Sequence, residues 1–101
     1  MSKPTRMGDI GMTIDCLSET IHNRREVDPS ESYTARLLGD ENLALKKIAE
    51  EAGEVIMAAK DQDHDQLRYE AADLIYHLLV VLEKYGVTVP ELADELNRRM
   101  K

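Results

Sequence analysis

The stretch AADLIYHLLVVL, residues 71–82, decides the fold class of this chain. Every position in it except Asp73 and His77 is apolar, so apolar side chains would cover every side of a helix. That pattern is typical of a helix that is buried all round. A domain of short helices offers too little surface to bury such a helix by itself, and we expect a second copy of the chain to complete the cover.

The sequence on both sides of this stretch predicts further helices. Phe and Trp are absent and consecutive β-branched residues are few, which disfavours strands. Apolar residues recur at helical spacing in residues 9 to about 25, 42 to about 61 and 65 to about 85. The polar break at residues 62–65 is short enough to predict an antiparallel helical hairpin. We therefore expect an all-α bundle of about four to five helices, completed by homo-oligomerisation, with residues 1–101 forming one domain.

Capping residues predict where several helices begin and end. Asp9 suits the start of the first helix, and Gly86 suits the left-handed position after the fourth. A brief second helix is expected to start at Asp28, with a proline at its first position, and to end at Gly39. The sequence from Thr88 to residue 91 forms a capping box for a last helix.

Charge and composition exclude several classes of function. Thirteen Lys and Arg against twenty Asp and Glu give a net charge of −7, which disfavours binding to nucleic acid. No apolar stretch approaches the roughly 20 residues of a membrane helix, and the first residues lack the apolar run of a secretion signal. The single cysteine, Cys16, cannot form an internal disulfide, and its apolar neighbours favour a buried thiol. We expect a cytoplasmic protein with no nucleic-acid or membrane partner.

Two pairs of acidic residues carry the first indication of chemistry. Glu70 and Asp73 are three residues apart in the oily helix, and Glu51 and Glu54 are three apart in the helix before it. An antiparallel hairpin could turn the two pairs toward each other. Four neighbouring carboxylates cannot all stay ionised without cations, and ligation by oxygen alone suits Mg²⁺ or Mn²⁺ rather than zinc. The spacing therefore predicts a metal site between the third and fourth helices.

The role of His77 is open at this level. It lies four residues after Asp73 and so shares its helix face. A hydrogen-bonded histidine in the core or at an interface is more frequent than a ligand in such a place, although a position next to a substrate would suit it as well.

The acid motifs resemble those of a known superfamily. EEAGE at residues 50–54 and EAAD at residues 70–73 resemble the EExxE and ExxD motifs of the all-α, MazG-like nucleoside-triphosphate pyrophosphatases. The wider match is similar to the phosphoribosyl-ATP pyrophosphatase family and includes SYT at 32–34, KKIAEEA at 46–52, AAK at 58–60 and EAADLIYHLLVVL at 70–82. The resemblance spans about residues 12–100. Ala49 departs from it, because the family commonly has glycine there, and this puts only local helix packing in question.

The resemblance implies an activity and a set of residue roles. The implied reaction is Mg²⁺-dependent hydrolysis of phosphoribosyl-ATP at the α–β phosphoanhydride, which yields phosphoribosyl-AMP and pyrophosphate in the second step of histidine biosynthesis. Mn²⁺ is a substitute that the same oxygen donors would accept. Lys47, one turn before the first acid pair, is the best phosphate partner. The implied metal ligands are Glu51, Glu54, Glu70 and Asp73; Glu50 is a further ligand or a water-orienting base; and the substrate-binding residues are Lys47, Lys60, Lys46, Ser32, Tyr33, Thr34 and His77.

Two other readings share the same residues. The acid motif also occurs in house-cleaning nucleoside-triphosphate pyrophosphatases, so the substrate could be a canonical or damaged nucleoside triphosphate. A non-catalytic helical oligomerisation module would instead use the oily helix as an interface and the acids as buried polar pairs. Tyr33 fits a packing role as well as a substrate contact.

Overall fold

The chain folds as a bundle of helices in which a long hairpin carries the acidic residues. The structure is a computed structural model, and it describes residues 8–100. Within that range there is no strand. The helices are α1 Ile10–Asn23, α2 Tyr33–Gly39, α3 Glu41–Lys60, α4 His64–Tyr85 and α5 Val89–Arg98, with a 3₁₀ turn at Arg24–Glu26 after α1. The all-α prediction is confirmed. The expectation that the chain has no secretion signal rests mostly on residues 1–7, and these lie outside the described residues.

Short polar side chains start every α-helix. Each of five residues accepts a hydrogen bond from the backbone N–H three residues further on, which satisfies one of the free donors at a helix start. Thr88 and Glu91 form the predicted reciprocal capping box. Gly86 ends α4 with a φ of 81°, in the left-handed region that glycine adopts at no steric cost. The capping residues are Asp9, Ser32, Asp40, Asp63 and Thr88.

Helices α3 and α4 form the predicted hairpin. They are joined by residues 61–63 and pack against each other more extensively than any other pair of elements. Because α1 and α2 also pack on α4, this helix lies at the centre of the bundle. Its buried residues Leu79 and Val80 meet Ile21 of α1 and Leu37 of α2 in the apolar core.

Helix α4 is not buried on every side within one chain. Ile75 and Leu78 each keep 40% of their surface exposed. On α3, Ile56 and Met57 are more exposed still. These side chains leave apolar surface on the hairpin that the rest of residues 8–100 does not cover.

The predicted start of α2 is wrong. The helix begins at Tyr33 rather than at Asp28. The Asp28 carboxylate accepts a hydrogen bond from the Ser30 N–H at 2.8 Å, and its carbonyl accepts one from Glu31, so residues 28–31 close a turn. Ser32 then adopts an extended conformation and caps α2.

The prediction for Cys16 is also wrong, because its side chain is exposed. The inward stripe of α1 contains Ile14, Leu17 and Ile21. At about 100° per residue, Cys16 points away from that stripe. Its apolar neighbours in sequence therefore did not indicate burial.

Candidate metal and active site

The hairpin brings acidic side chains of both its arms together. Glu51 of α3 and Glu70 of α4 are each only 6% exposed. Single donor atoms of Glu51, Asp73 and His77 all lie within 4.8 Å of one another. Glu70 lies one turn before Asp73 on α4, and the charge of Glu51 acts on its pKa. Three of the four acids proposed as metal ligands thus form one cluster.

The protonation of the cluster follows from this crowding. Burial acts to raise the pKa of Glu51, but hydrogen bonds with Asp73 and Lys47 outweigh it, so the pKa lies below its ordinary value. Burial and the hydrogen bond with Glu51 both raise the pKa of Asp73. Of the two carboxyl groups, Asp73 is therefore the one that takes up a proton first as the pH falls.

Glu70 is the third crowded acid. Burial raises its pKa, and the neighbouring negative charges of Glu54 and Glu51 raise it further, against a lowering hydrogen bond from Gln66. The Gln66 amide donates to Glu70 at 2.6 Å. Gln66 was not among the predicted site residues, although it lies four residues before Glu70 and so shares its helix face.

The two remaining acids lie at the edge of the cluster. Glu54 is exposed, one turn after Glu51, and its charge acts on Glu70. Glu50 is exposed as well, and its carboxylate lies 3.3 Å from the Lys47 ammonium. Neither belongs to the group of donor atoms closest to one another.

Of the three candidate lysines, Lys47 contacts a buried acid of the cluster. The Lys47 ammonium lies 3.3 Å from Glu51, and its side chain is 25% exposed. Lys46 is largely exposed and lies 3.8 Å from Glu50. Lys60 sits in the last turn of α3, roughly 13 Å along the helix axis from Glu51. Lys47 is therefore the cation of this site.

The candidate hydroxyl groups are engaged inside the protein. The Ser32 hydroxyl accepts from the Ala35 N–H at 3.1 Å as the cap of α2. The Thr34 hydroxyl hydrogen-bonds with Tyr76. The Tyr33 hydroxyl lies 3.0 Å from His77 Nε2, although the residue as a whole remains 42% exposed.

The donor atoms of the cluster fit a hard divalent cation. Glu51, Glu70 and Asp73 supply carboxylate oxygens, which suit Mg²⁺, Mn²⁺ or Ca²⁺. Both ring nitrogens of His77 already have hydrogen-bonding partners, so this residue fits a supporting role better than that of a ligand. A cation among the three carboxylates would balance charges that Lys47 alone leaves uncompensated.

Comparison with known proteins decides the family. A sequence profile described as Phosphoribosyl-ATP pyrophosphohydrolase matches residues 14–100. The chain belongs to this family. The range that matches the phosphoribosyl-ATP pyrophosphohydrolase profile includes all five acidic residues of the site, namely Glu50, Glu51, Glu54, Glu70 and Asp73.

Individual relatives agree with the profile. The chain is 46% identical to the phosphoribosyl-ATP pyrophosphatase of Neisseria gonorrhoeae strain ATCC 700825 / FA 1090, over 92% of this chain and 86% of that protein. It is 48% identical to the protein of the same name from Halobacterium salinarum strain ATCC 29341 / DSM 671 / R1, over 82% of this chain and 92% of that one. The Nitrosomonas eutropha strain DSM 101675 / C91 / Nm57 protein is also 48% identical, over 82% and 72%.

Proposed function

We propose that this protein hydrolyses phosphoribosyl-ATP to phosphoribosyl-AMP and pyrophosphate, the second step of histidine biosynthesis. The observation that carries the proposal is that Glu51 of α3 and Asp73 of α4 bring donor atoms within 4.8 Å of each other, while the charge of Glu51 also acts on the buried Glu70. Carboxylates crowded together away from water destabilise a fold unless cations compensate them, and Lys47 alone leaves part of this charge uncompensated. Membership of the family supplies the substrate.

The same three acids would hold Mg²⁺, and Glu54, whose charge acts on Glu70, is the proposed fourth ligand. Oxygen donors favour Mg²⁺ and let Mn²⁺ substitute for it. A bound Mg²⁺ would neutralise charge on the phosphate oxygens of the substrate. This accounts for how a protein of net charge −7 accepts a polyanion.

The remaining polar residues of the site act on the phosphates and on water. The Lys47 ammonium is placed to exchange one of its two carboxylate partners for a phosphate oxygen. The exposed Glu50 carboxylate, its second partner, is placed to orient a water molecule and to take its proton. Water oxygen then bonds to one phosphorus of the α–β anhydride, the bridging P–O bond at that phosphorus breaks, and pyrophosphate and phosphoribosyl-AMP separate.

The test is hydrolysis by the full chain in the presence of Mg²⁺. Release of pyrophosphate would be followed with phosphoribosyl-ATP and, separately, with a panel of canonical and oxidised nucleoside triphosphates. We expect phosphoribosyl-ATP to have the highest kcat/KM. A higher value for a nucleoside triphosphate would replace the substrate assignment by that of a house-cleaning enzyme.

A matched pair of variants tests the site. Glu51→Gln should lower kcat/KM by about 10²-fold or more, because it removes a charge at the centre of the cluster. Glu19→Gln, the same change at an exposed position of α1, should leave activity unchanged. Absence of hydrolysis in the unsubstituted protein, together with no thermal stabilisation by Mg²⁺, would favour the non-catalytic oligomerisation module.

We also propose that the protein acts as a homodimer or a larger homo-oligomer. The exposed apolar side chains of the hairpin, Ile56, Met57, Ile75 and Leu78, support an interface between copies. Sedimentation that shows a folded monomer at micromolar concentration would contradict this.

The proposed compartment is the cytoplasm. Among residues 8–100, no helix is both long and apolar enough to cross a membrane. The exposed thiol of Cys16, without a second cysteine in the chain, suits a reducing environment. Fractionation of the source cells would test the proposal.

A further inference from the structure

Tyr33, His77 and Asp73 form a hydrogen-bonded chain that links α2 to the acid cluster. The Tyr33 hydroxyl lies 3.0 Å from His77 Nε2. His77 Nδ1 lies 2.8 Å from the Asp73 backbone oxygen and 3.4 Å from the Asp73 carboxylate. His77 is 4% exposed, so its ring has no alternative partner in bulk water.

The oxygen atoms around the ring fix the direction of these hydrogen bonds. Nδ1 faces two acceptors of Asp73, the carbonyl and the carboxylate, and must therefore carry the hydrogen. Nε2 then presents a lone pair in the neutral ring, and the Tyr33 hydroxyl donates to it. The donors run in one direction, from Tyr33 through His77 to Asp73.

Aromatic packing holds the imidazole in this orientation. The Tyr76 ring meets it edge to face at a centroid distance of 4.9 Å, and Tyr33 does so at 5.8 Å. Rotation of the ring by 180° about its χ2 bond would take Nδ1–H away from Asp73 and Nε2 away from Tyr33. Packing and hydrogen bonding therefore favour the same orientation.

We propose that Tyr33 and His77 are positioning residues that set the affinity of the site for its divalent cation by holding the Asp73 carboxylate toward Glu51. This rests on the proposed function only in so far as Asp73 belongs to the metal site. Neither residue needs to contact the substrate, which differs from the substrate-binding role that the sequence analysis gave to both. His77 would act on Asp73 through its hydrogen bond to the backbone oxygen and its 3.4 Å contact with the carboxylate. Removal of contacts that orient a metal ligand typically changes metal affinity 10- to 100-fold.

The first test removes only the hydroxyl group that begins the chain. Tyr33→Phe keeps the ring that packs on Tyr76 and His77. We expect it to weaken Mn²⁺ binding about tenfold, measured by calorimetry without substrate. In hydrolysis it should raise the Mg²⁺ concentration needed for half-maximal rate by a similar factor, with kcat at saturating Mg²⁺ nearly unchanged.

A matched control makes the same chemical change elsewhere. The Tyr85 hydroxyl donates to Glu41 at the open end of the hairpin, roughly 15 Å along α3 from Glu51. Tyr85→Phe should leave Mn²⁺ affinity unchanged. Equal Mn²⁺ affinities of Tyr33→Phe and the unsubstituted protein would overturn the proposal.

Two substitutions of His77 separate its two hydrogen bonds. Asn places an amide N–H near the position of Nδ1, whereas Gln places its amide near Nε2. We therefore expect His77→Asn to keep more of the Mn²⁺ affinity than His77→Gln, because only Asn can still donate to Asp73. The reverse order would contradict the proposed direction of the chain.

The imidazole itself can be observed without metal or substrate. Nitrogen-15 NMR of the unsubstituted protein should show His77 protonated at Nδ1 and unprotonated at Nε2, and Tyr33→Phe should shift the Nε2 resonance. A hydrogen on Nε2 instead would refute the proposal. If the variants differ in Mn²⁺ affinity as expected but the unsubstituted protein hydrolyses no substrate, the proposed function is refuted and the positioning role is supported. If the unsubstituted protein hydrolyses phosphoribosyl-ATP but Tyr33→Phe binds Mn²⁺ with unchanged affinity, the positioning role is refuted and the proposed function is supported.

Discussion

Asp73→Asn should stabilise the metal-free protein while abolishing its response to Mg²⁺. The pKa of Asp73 is raised in the folded protein by burial and by the neighbouring Glu51. The stability that protonated Asp73 contributes is therefore fully present below the ordinary aspartate pKa and is lost as the pH rises through the raised value. At neutral pH its charge opposes folding, and asparagine removes that charge.

The size of the effect follows from the geometry. The donor atoms of Asp73 and Glu51 lie within 4.8 Å of each other. At an effective dielectric constant of about 20, two unit charges at that distance repel by about 3 kcal/mol. The Lys47 ammonium, 3.3 Å from Glu51, offsets part of this repulsion. We expect Asp73→Asn to raise the free energy of unfolding by about 1 to 2 kcal/mol, which raises the midpoint temperature by roughly 5 to 15 °C.

Thermal unfolding with and without Mg²⁺ measures both halves of the prediction. At a concentration ten times its dissociation constant, Mg²⁺ should add about 1.4 kcal/mol to the unsubstituted protein and nothing to Asp73→Asn. Asp15→Asn, at an exposed position of α1, is the control and should behave like the unsubstituted protein. The stabilisation by Asp73→Asn should also shrink toward acidic pH. A metal-free Asp73→Asn protein less stable than the original, with an intact Mg²⁺ response, would refute the reasoning.

Three further variants test other parts of the structure. Lys47→Gln should raise KM for the nucleotide roughly tenfold, because it removes a phosphate partner, and should tighten Mn²⁺ binding, because it removes a cation from the acids. The control, Lys46→Gln, should change neither quantity. Burial tends to raise the pKa of Glu83, but hydrogen bonds with Arg25 and His22 lower it overall. Glu83→Gln should therefore lower the free energy of unfolding by about 1 kcal/mol at pH 7, measured in urea. This difference between the variant and the unsubstituted protein should shrink below the ordinary glutamate pKa, and an undiminished difference there would contradict the prediction. Thr88→Ala removes the cap of α5 and should speed its amide hydrogen exchange about fivefold. Because α5 has no buried residue, the global free energy of unfolding should change little, and a large loss would contradict the prediction.

The parts of the fold that depend on local patterns were predictable. The hairpin follows from two apolar stripes separated by a short polar break, and the capping box at Thr88 follows from adjacent residues. The pairing of Glu51 with Asp73 follows in turn from the hairpin, because the two acid pairs stand at similar distances from its turn.

Contacts between distant segments were not predictable in the same way. Tyr33 and His77 are 44 residues apart, and nothing in the local sequence of either indicates their hydrogen bond. The start of α2 was misplaced because Asp28 can cap a helix or close a turn, and its hydrogen bond with Ser30 favours the turn. The helical spacing of apolar residues also does not tell which acid of a pair is buried. Glu51 is buried in the structure, whereas Glu54, one turn later, is exposed.

The central claim is that the acids of α3 and α4 hold one hard cation between them. The most direct measurement is an anomalous difference map of a crystal soaked in MnCl₂. We predict a Mn²⁺ peak at coordination distance from carboxylate oxygens of Glu51, Glu70 and Asp73. An ordered, fully soaked crystal with no peak between these three side chains would contradict the account.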